Sequence, residues 1–83
     1  MIPKEINDSH ITESAKEIDL NGVPSQRESR KYLVLIGETL YPPKYIISLA
    51  VKHLSGQEMD SGDFIATEAR AYLEKRGYKI VTK

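Results

Sequence analysis

Two adjacent prolines, Pro42 and Pro43, sit between an aliphatic run and an apolar stretch of helical period, and they force the chain to change conformation there. A proline nitrogen carries no hydrogen and cannot donate to a sheet ladder, whereas in the first turn of a helix that donor has no intrahelical partner anyway. The residues before the pair therefore end a strand and those after it begin a helix. Upstream, Tyr32, Leu33, Val34, Leu35 and Ile36 make a continuous apolar run that reads as a strand with both faces covered. Gly37 and Glu38 suit a two-residue turn with glycine first, and Thr39, Leu40 and Tyr41 a short return strand. Downstream, Ile46, Leu49, Ala50, His53 and Leu54 fall on one helical face, which Ile47 and Val51 widen. So apolar a helix is the central core helix, and Ser55 and Gly56 stop it.

The rest of the chain is arranged around this unit. Residues 1–8 are polar with a proline and read as a flexible N-terminal arm. Asn7, Asp8 and Ser9 are all competent helix caps, and Ile11, Ala15 and Ile18 then recur at helical spacing, so a first helix is expected over 9–20. Its other face, with Glu13, Lys16, Glu17 and Asp19, is expected to meet water. Asn21, Gly22 and Pro24 end it, and a loop follows. Asp60 or Ser61 is the expected cap of a third helix with Phe64, Ala66, Ala69, Tyr72 and Leu73 on its buried stripe. Arg76 and Gly77 close that helix, and 78–82 forms a last strand pairing with the hairpin. The fold class is α+β, in the order α-β-β-α-α-β, with residues 9–83 as one small domain.

The chemistry that 83 residues of this composition exclude is as informative. A chain of this length builds one modest core. It has no cysteine, hence no disulfide, thiolate nucleophile or cysteine metal site. The N-terminus lacks the apolar run of a signal peptide, and no stretch approaches the roughly 20 apolar residues that span a bilayer, which points to a cytoplasmic protein without membrane contact. His10 and His53 are the only histidines, and neither stands in a metal-binding or nucleophile-activating pattern. His53 reads as a core or boundary histidine. The glycines are scattered and build no phosphate-cradling loop. These features describe a non-enzyme with no cofactor.

Net charge is zero, but its distribution is uneven. Residues 1–20 hold Lys4 and Lys16 against Glu5, Asp8, Glu13, Glu17 and Asp19, a net −3; residues 21–53 hold Arg27, Arg30, Lys31, Lys44 and Lys52 against Glu28 and Glu38, a net +3. Arg27, Arg30 and Lys31 lie within five residues of one another, and Lys44 opens the central helix. Loop serines such as Ser29 and a helix N-terminus can add phosphate contacts, while Tyr32, Tyr41 and Tyr45 are positioned either to stack on bases or to pack. The plain alternative is a solvated loop beside a tyrosine-bearing core edge, with the two prolines merely stiffening a corner.

Residues 27–32 (Arg27, Glu28, Ser29, Arg30, Lys31, Tyr32), followed by 41–50 with Tyr41, Pro42, Pro43, Lys44 and Tyr45 at their head, resemble the small N-terminal head domain of modification-dependent restriction endonucleases, the class with an HNH nuclease at the far end of a longer chain. The resemblance extends to residues 17–19 and 21–24, to Gly56 and Phe64, and to 73–81, so it covers nearly everything from His10 onward. One departure is plain: the family tends to a glycine-rich turn after the phenylalanine, where this chain has Ile65, Ala66 and Thr67, which continue a helix. The resemblance implies a DNA-associated role without cleavage, in a free-standing relative or one domain of a longer chain, with DNA and a nuclease subunit as partners. The candidate nucleic-acid contacts are Arg27, Ser29, Arg30, Lys31, Tyr41, Lys44 and Tyr45. The competing reading is a protein–protein interaction domain with no nucleic-acid contact, docking through an apolar patch around Ile65.

Overall fold

The computed structural model describes residues 2–29, 31–58, 62, 64 and 66–82. In chain order these form α1 (Asp8–Asn21), a 3-10 turn (Ser25–Arg27), β1 (Tyr32–Ile36), β2 (Thr39–Tyr41), α2 (Pro43–Ser55), α3 (Ala66–Lys75) and β3 (Lys79–Thr82). The α+β class and the order α-β-β-α-α-β are those expected. The strands form one antiparallel sheet in the order β2-β1-β3.

Each element begins and ends for a local reason. The Asn7 side chain accepts from the backbone N–H groups of Ser9 (2.9 Å) and His10 (3.2 Å). His10 Nδ1 in turn accepts from the Asn7 N–H at 3.1 Å, a reciprocal cap with histidine in the place usually taken by glutamate or glutamine. Gly37 takes a φ of 63° in the hairpin turn, where no L side chain sits comfortably. Pro42 caps α2 and Pro43 is its first residue, so the corner is built as the proline pair requires. At the end of α3 the Tyr78 N–H reaches back to the Leu73 carbonyl at 3.1 Å, across Gly77 at φ 92°, closing the helix in a Schellman arrangement.

Helix α2 is the centre of the packing and touches α1, α3 and β1. Its Ile46, Ile47, Leu49 and Ala50 are buried against Ile11, Ala15 and Ile18 of α1, Val34 of β1, Phe64, and Ala69 and Leu73 of α3. Val34 lies opposite both Tyr41 and Ile80, so one row of side chains across all three strands faces this core. Val34 is the only β1 residue fully covered; its neighbours are half-buried, because helices pack on one side of the sheet and the expected second cover is incomplete.

Several expectations are corrected. The N-terminal segment packs on the core where a flexible arm was expected: Ile2 and Ile6 join the buried cluster, Ile6 at 1 % exposure. Polar contacts hold it down. Tyr72 Oη donates to the Pro3 carbonyl (2.7 Å), Arg76 Nη2 to the Lys4 carbonyl (3.2 Å) and Tyr78 Oη to Asp8 Oδ1 (3.0 Å). The polar face of α1 does not simply meet water either. Glu17 pairs with Lys52 (2.8 Å) and with His53 (3.2 Å) on α2, and Asp19 accepts from the Tyr41 hydroxyl at 2.9 Å. His53 accordingly sits at the boundary of α2, the second of the two places read for it, and not in the core. In α3, Ala66 is exposed while Ala69 and Leu73 are buried. Ala66 and Thr67 open α3 and do not continue a helix through Phe64, which lies in a bend before it; Ile65, and Asp60 and Ser61 as candidate caps, lie outside the described residues.

The docked N-terminus carries a stability consequence. Ile6→Ala is expected to cost about 2–5 kcal/mol, the range for emptying a buried aliphatic site. A urea titration measures it; a change under about 0.5 kcal/mol is what a solvated arm gives.

Candidate nucleic-acid interface

The loop before β1, the start of β1, the proline corner and the first turn of α3 converge on an open depression of about 310 Å³. Arg27, Ser29, Lys31 and Lys44 line it, and Tyr32, Pro42, Pro43 and Ala66 supply its carbon walls. Four of the seven candidate contacts predicted from sequence are thus brought together. Tyr45 lies behind Arg27 and is not among the lining residues. Tyr41 is elsewhere: it is buried, with its hydroxyl bound to Asp19, so it packs and cannot stack on a ligand. Arg30 lies outside the described residues.

Arg27 is the pin of this site. Its side chain is only 13 % exposed. One guanidinium nitrogen donates to the hydroxyl of Ser48, which is fully buried on α2, and the other pairs with Glu58 at 3.4 Å. The guanidinium also lies over the Tyr45 ring, 5.0 Å from its centroid. A basic residue that from sequence alone looks solvated is spent on fastening the loop to α2. Burial, then the nearby Glu58 carboxylate, raises the Tyr45 phenol above its ordinary range, so the ring stays neutral under the cation.

Ser29 fixes the entry to β1. Its hydroxyl donates to the Tyr32 carbonyl and accepts from the Tyr32 N–H at 3.2 Å, bracketing that residue on both backbone groups. Tyr32 is then flanked by two cations, Arg70 at 4.8 Å and Lys31 at 5.8 Å from the ring centroid. Lys44 lies over the Phe64 ring at 5.1 Å. Arg70 is a cation that sequence reasoning missed. It lies on the half-exposed side of α3, one turn beyond Ala66, and only the packing of α3 on β1 brings it to Tyr32. Its one sequence signal was its place four residues before Glu74, with which it pairs at 3.2 Å. Lys31 and Lys44 thus stand in the lining with the acid Glu28, and Arg70 lies beside it over the Tyr32 ring.

Among the described residues no group of three or more acidic or histidine side chains is placed to hold a metal ion. No helix among them is long and apolar enough to cross a membrane.

Fold and depression together define a small α+β domain with a concave corner lined by basic side chains and a tyrosine. The chain belongs to the ScoMcrA-like N-terminal head domain family, whose model matches residues 4–82 and so takes in every helix and strand. This bears out the resemblance to the head domain of modification-dependent restriction endonucleases carried by residues 27–32 and 41–50. No curated protein and no solved structure matches the chain.

Two measurements probe this geometry. Arg27→Ala leaves the buried Ser48 hydroxyl without its partner and is expected to destabilise the fold by about 1–3 kcal/mol in urea. In double-mutant cycles Arg27 should couple to Ser48 more strongly than to the more exposed Glu58, since solvent screens the latter pair. Separately, burial and the hydrogen bond to Asp8 push the Tyr78 phenol from an ordinary value of 10.0 up to about 12. The folded state holds that proton more tightly than the unfolded one, so its stabilisation is complete below pH 10 and is lost as pH rises through 12. Denaturant midpoints should fall across this window in the parent and less in Tyr78→Phe.

Proposed function

We propose that this domain is a non-catalytic DNA-binding module of a restriction system, making its contacts with Lys31, Lys44 and Arg70 around the depression and with Arg30, which precedes Lys31 in the chain. The convergence of Lys31 and Lys44 on one concave lining, with Arg70 over the ring of its Tyr32 wall, carries the reading, and membership of a restriction-endonuclease head-domain family supplies its context. Ser29 and the N-terminal end of α2 add neutral and dipolar contacts, although Pro42 and Pro43 remove two of the backbone donors a helix start normally offers. Arg27, within the lining, is held by Ser48 and Glu58 and packs on Tyr45, so it shapes the surface, and Tyr41 belongs to the core.

A non-catalytic role fits the histidines, each of which has a structural partner: His10 caps α1 and His53 pairs with Glu17. A nuclease subunit or domain is the partner such a module would serve, and the cytoplasm is where it would work. The protein-docking alternative centres on Ile65, which lies outside the described residues. The exposed large apolar side chains among the described residues are Leu20 and Leu40, on α1 and β2, and a pair of exposed leucines is within what ordinary surfaces show.

Duplex binding through about four phosphate contacts should weaken steeply with salt, with a log–log slope on the order of −3 to −4. Each of Lys31→Ala, Lys44→Ala and Arg70→Ala should flatten that slope by about 0.9 and weaken binding similarly for any sequence. Fluorescence anisotropy across a salt series measures both. A slope near zero, or one unmoved by all three substitutions, rejects the assignment.

A further inference from the structure

We infer that the depression accepts one unstacked nucleotide, base and phosphate together, so that the domain prefers single-stranded DNA to intact duplex; this rests on the DNA-contact reading above. The two halves of the lining point to it. Lys31 and Lys44 suit a phosphate, but Tyr32, Pro42, Pro43 and Ala66 present carbon, against which a duplex backbone sets only the narrow edges of its deoxyriboses and no flat base face. A duplex shows convex rows of phosphate and sugar and keeps its base faces stacked inside. Docked here, it would satisfy the cations and leave most of the carbon walls uncovered. A nucleotide outside a stack offers a flat apolar face at one end and a phosphate at the other, which is the division this lining shows.

Size and rigidity agree. A volume of about 310 Å³ is that of a site for one small ligand, not for a run of nucleotides. The acid Glu28 on the same lining disfavours a series of closely spaced phosphates. The walls are built in advance: Ser29 brackets both backbone groups of Tyr32, and Pro42 and Pro43 are buried at the head of the core helix. Binding therefore requires little ordering of the wall. Arg70 and Lys31, over the Tyr32 ring, set positive charge beside this wall for the nucleotide's phosphate.

The test compares a labelled oligodeoxythymidylate about 12 nucleotides long with a duplex of equal length at one low ionic strength, by anisotropy. The single strand should bind about tenfold tighter. Tyr32→Leu should cost about tenfold for the single strand and little for the duplex, while Tyr32→Phe, which keeps the ring, should retain the preference. Circular dichroism checks that each variant is folded. Should Tyr32→Leu fail to fold, thymidine monophosphate added to the parent protein supplies the second readout, with amide shifts expected at Ser29, Tyr32 and Ala66. Equal or tighter duplex binding, or a single-strand preference that survives in folded Tyr32→Leu, overturns the inference and leaves the DNA reading standing. Absence of such shifts with the nucleotide also overturns it. No binding of either DNA overturns both.

Discussion

The burial of one helix face governs this structure. Ile46, Ile47, Leu49 and Ala50 of α2 meet every other layer, and few other apolar contacts in so small a domain are available to replace them. Because the helix is fixed by its middle, its first turn is fixed as well. Pro42 and Pro43 therefore hold the floor of the depression in place through the core, not through any contact at the surface. The scaffold and the candidate interface share one element, and that sharing makes the wall rigid.

Around that core, long-range polar ties do what apolar area alone cannot. Glu17 joins α1 to α2 through Lys52, whose hydrogen bond and charge hold the carboxyl below its ordinary range. Asp19 joins α1 to the edge strand through Tyr41. Tyr72, Arg76 and Tyr78 gather the N-terminal segment onto the end of α3. Arg27 fastens the loop that carries Ser29 to α2. In each case a charged or phenolic group reaches a partner far along the chain, so these contacts close loops between elements that local propensity leaves independent.

That distance separates what could be read in the sequence from what could not. The hairpin, the proline corner and the central helix were legible because each depends on neighbouring residues: a glycine-first turn, two missing amide donors, a recurrence every three or four positions. Ile2 and Ile6 stand outside any such period, and their anchors lie some 70 residues away, so they read as an arm. Glu17, Asp19 and His53 read as ordinary surface or core residues for the same reason. At the candidate site, clustering in the sequence anticipated that Arg27, Lys31 and Lys44 share one lining but could not tell the pinned Arg27 from the solvent-facing Lys31, since Ser48 and Glu58 lie 21 and 31 residues beyond Arg27. Arg70 was invisible until α3 was laid on β1.

Everything proposed for this domain depends on the DNA surface lying at this corner, and a backbone amide NMR titration with a short DNA at low salt, repeated at higher salt, locates that surface residue by residue. Salt-sensitive shifts are expected, confined to residues 25–32 and to the surroundings of Lys44, Ala66 and Arg70, with α1 and β2 silent. An unshifted spectrum at low salt, or salt-insensitive shifts centred on α1, would refute that placement.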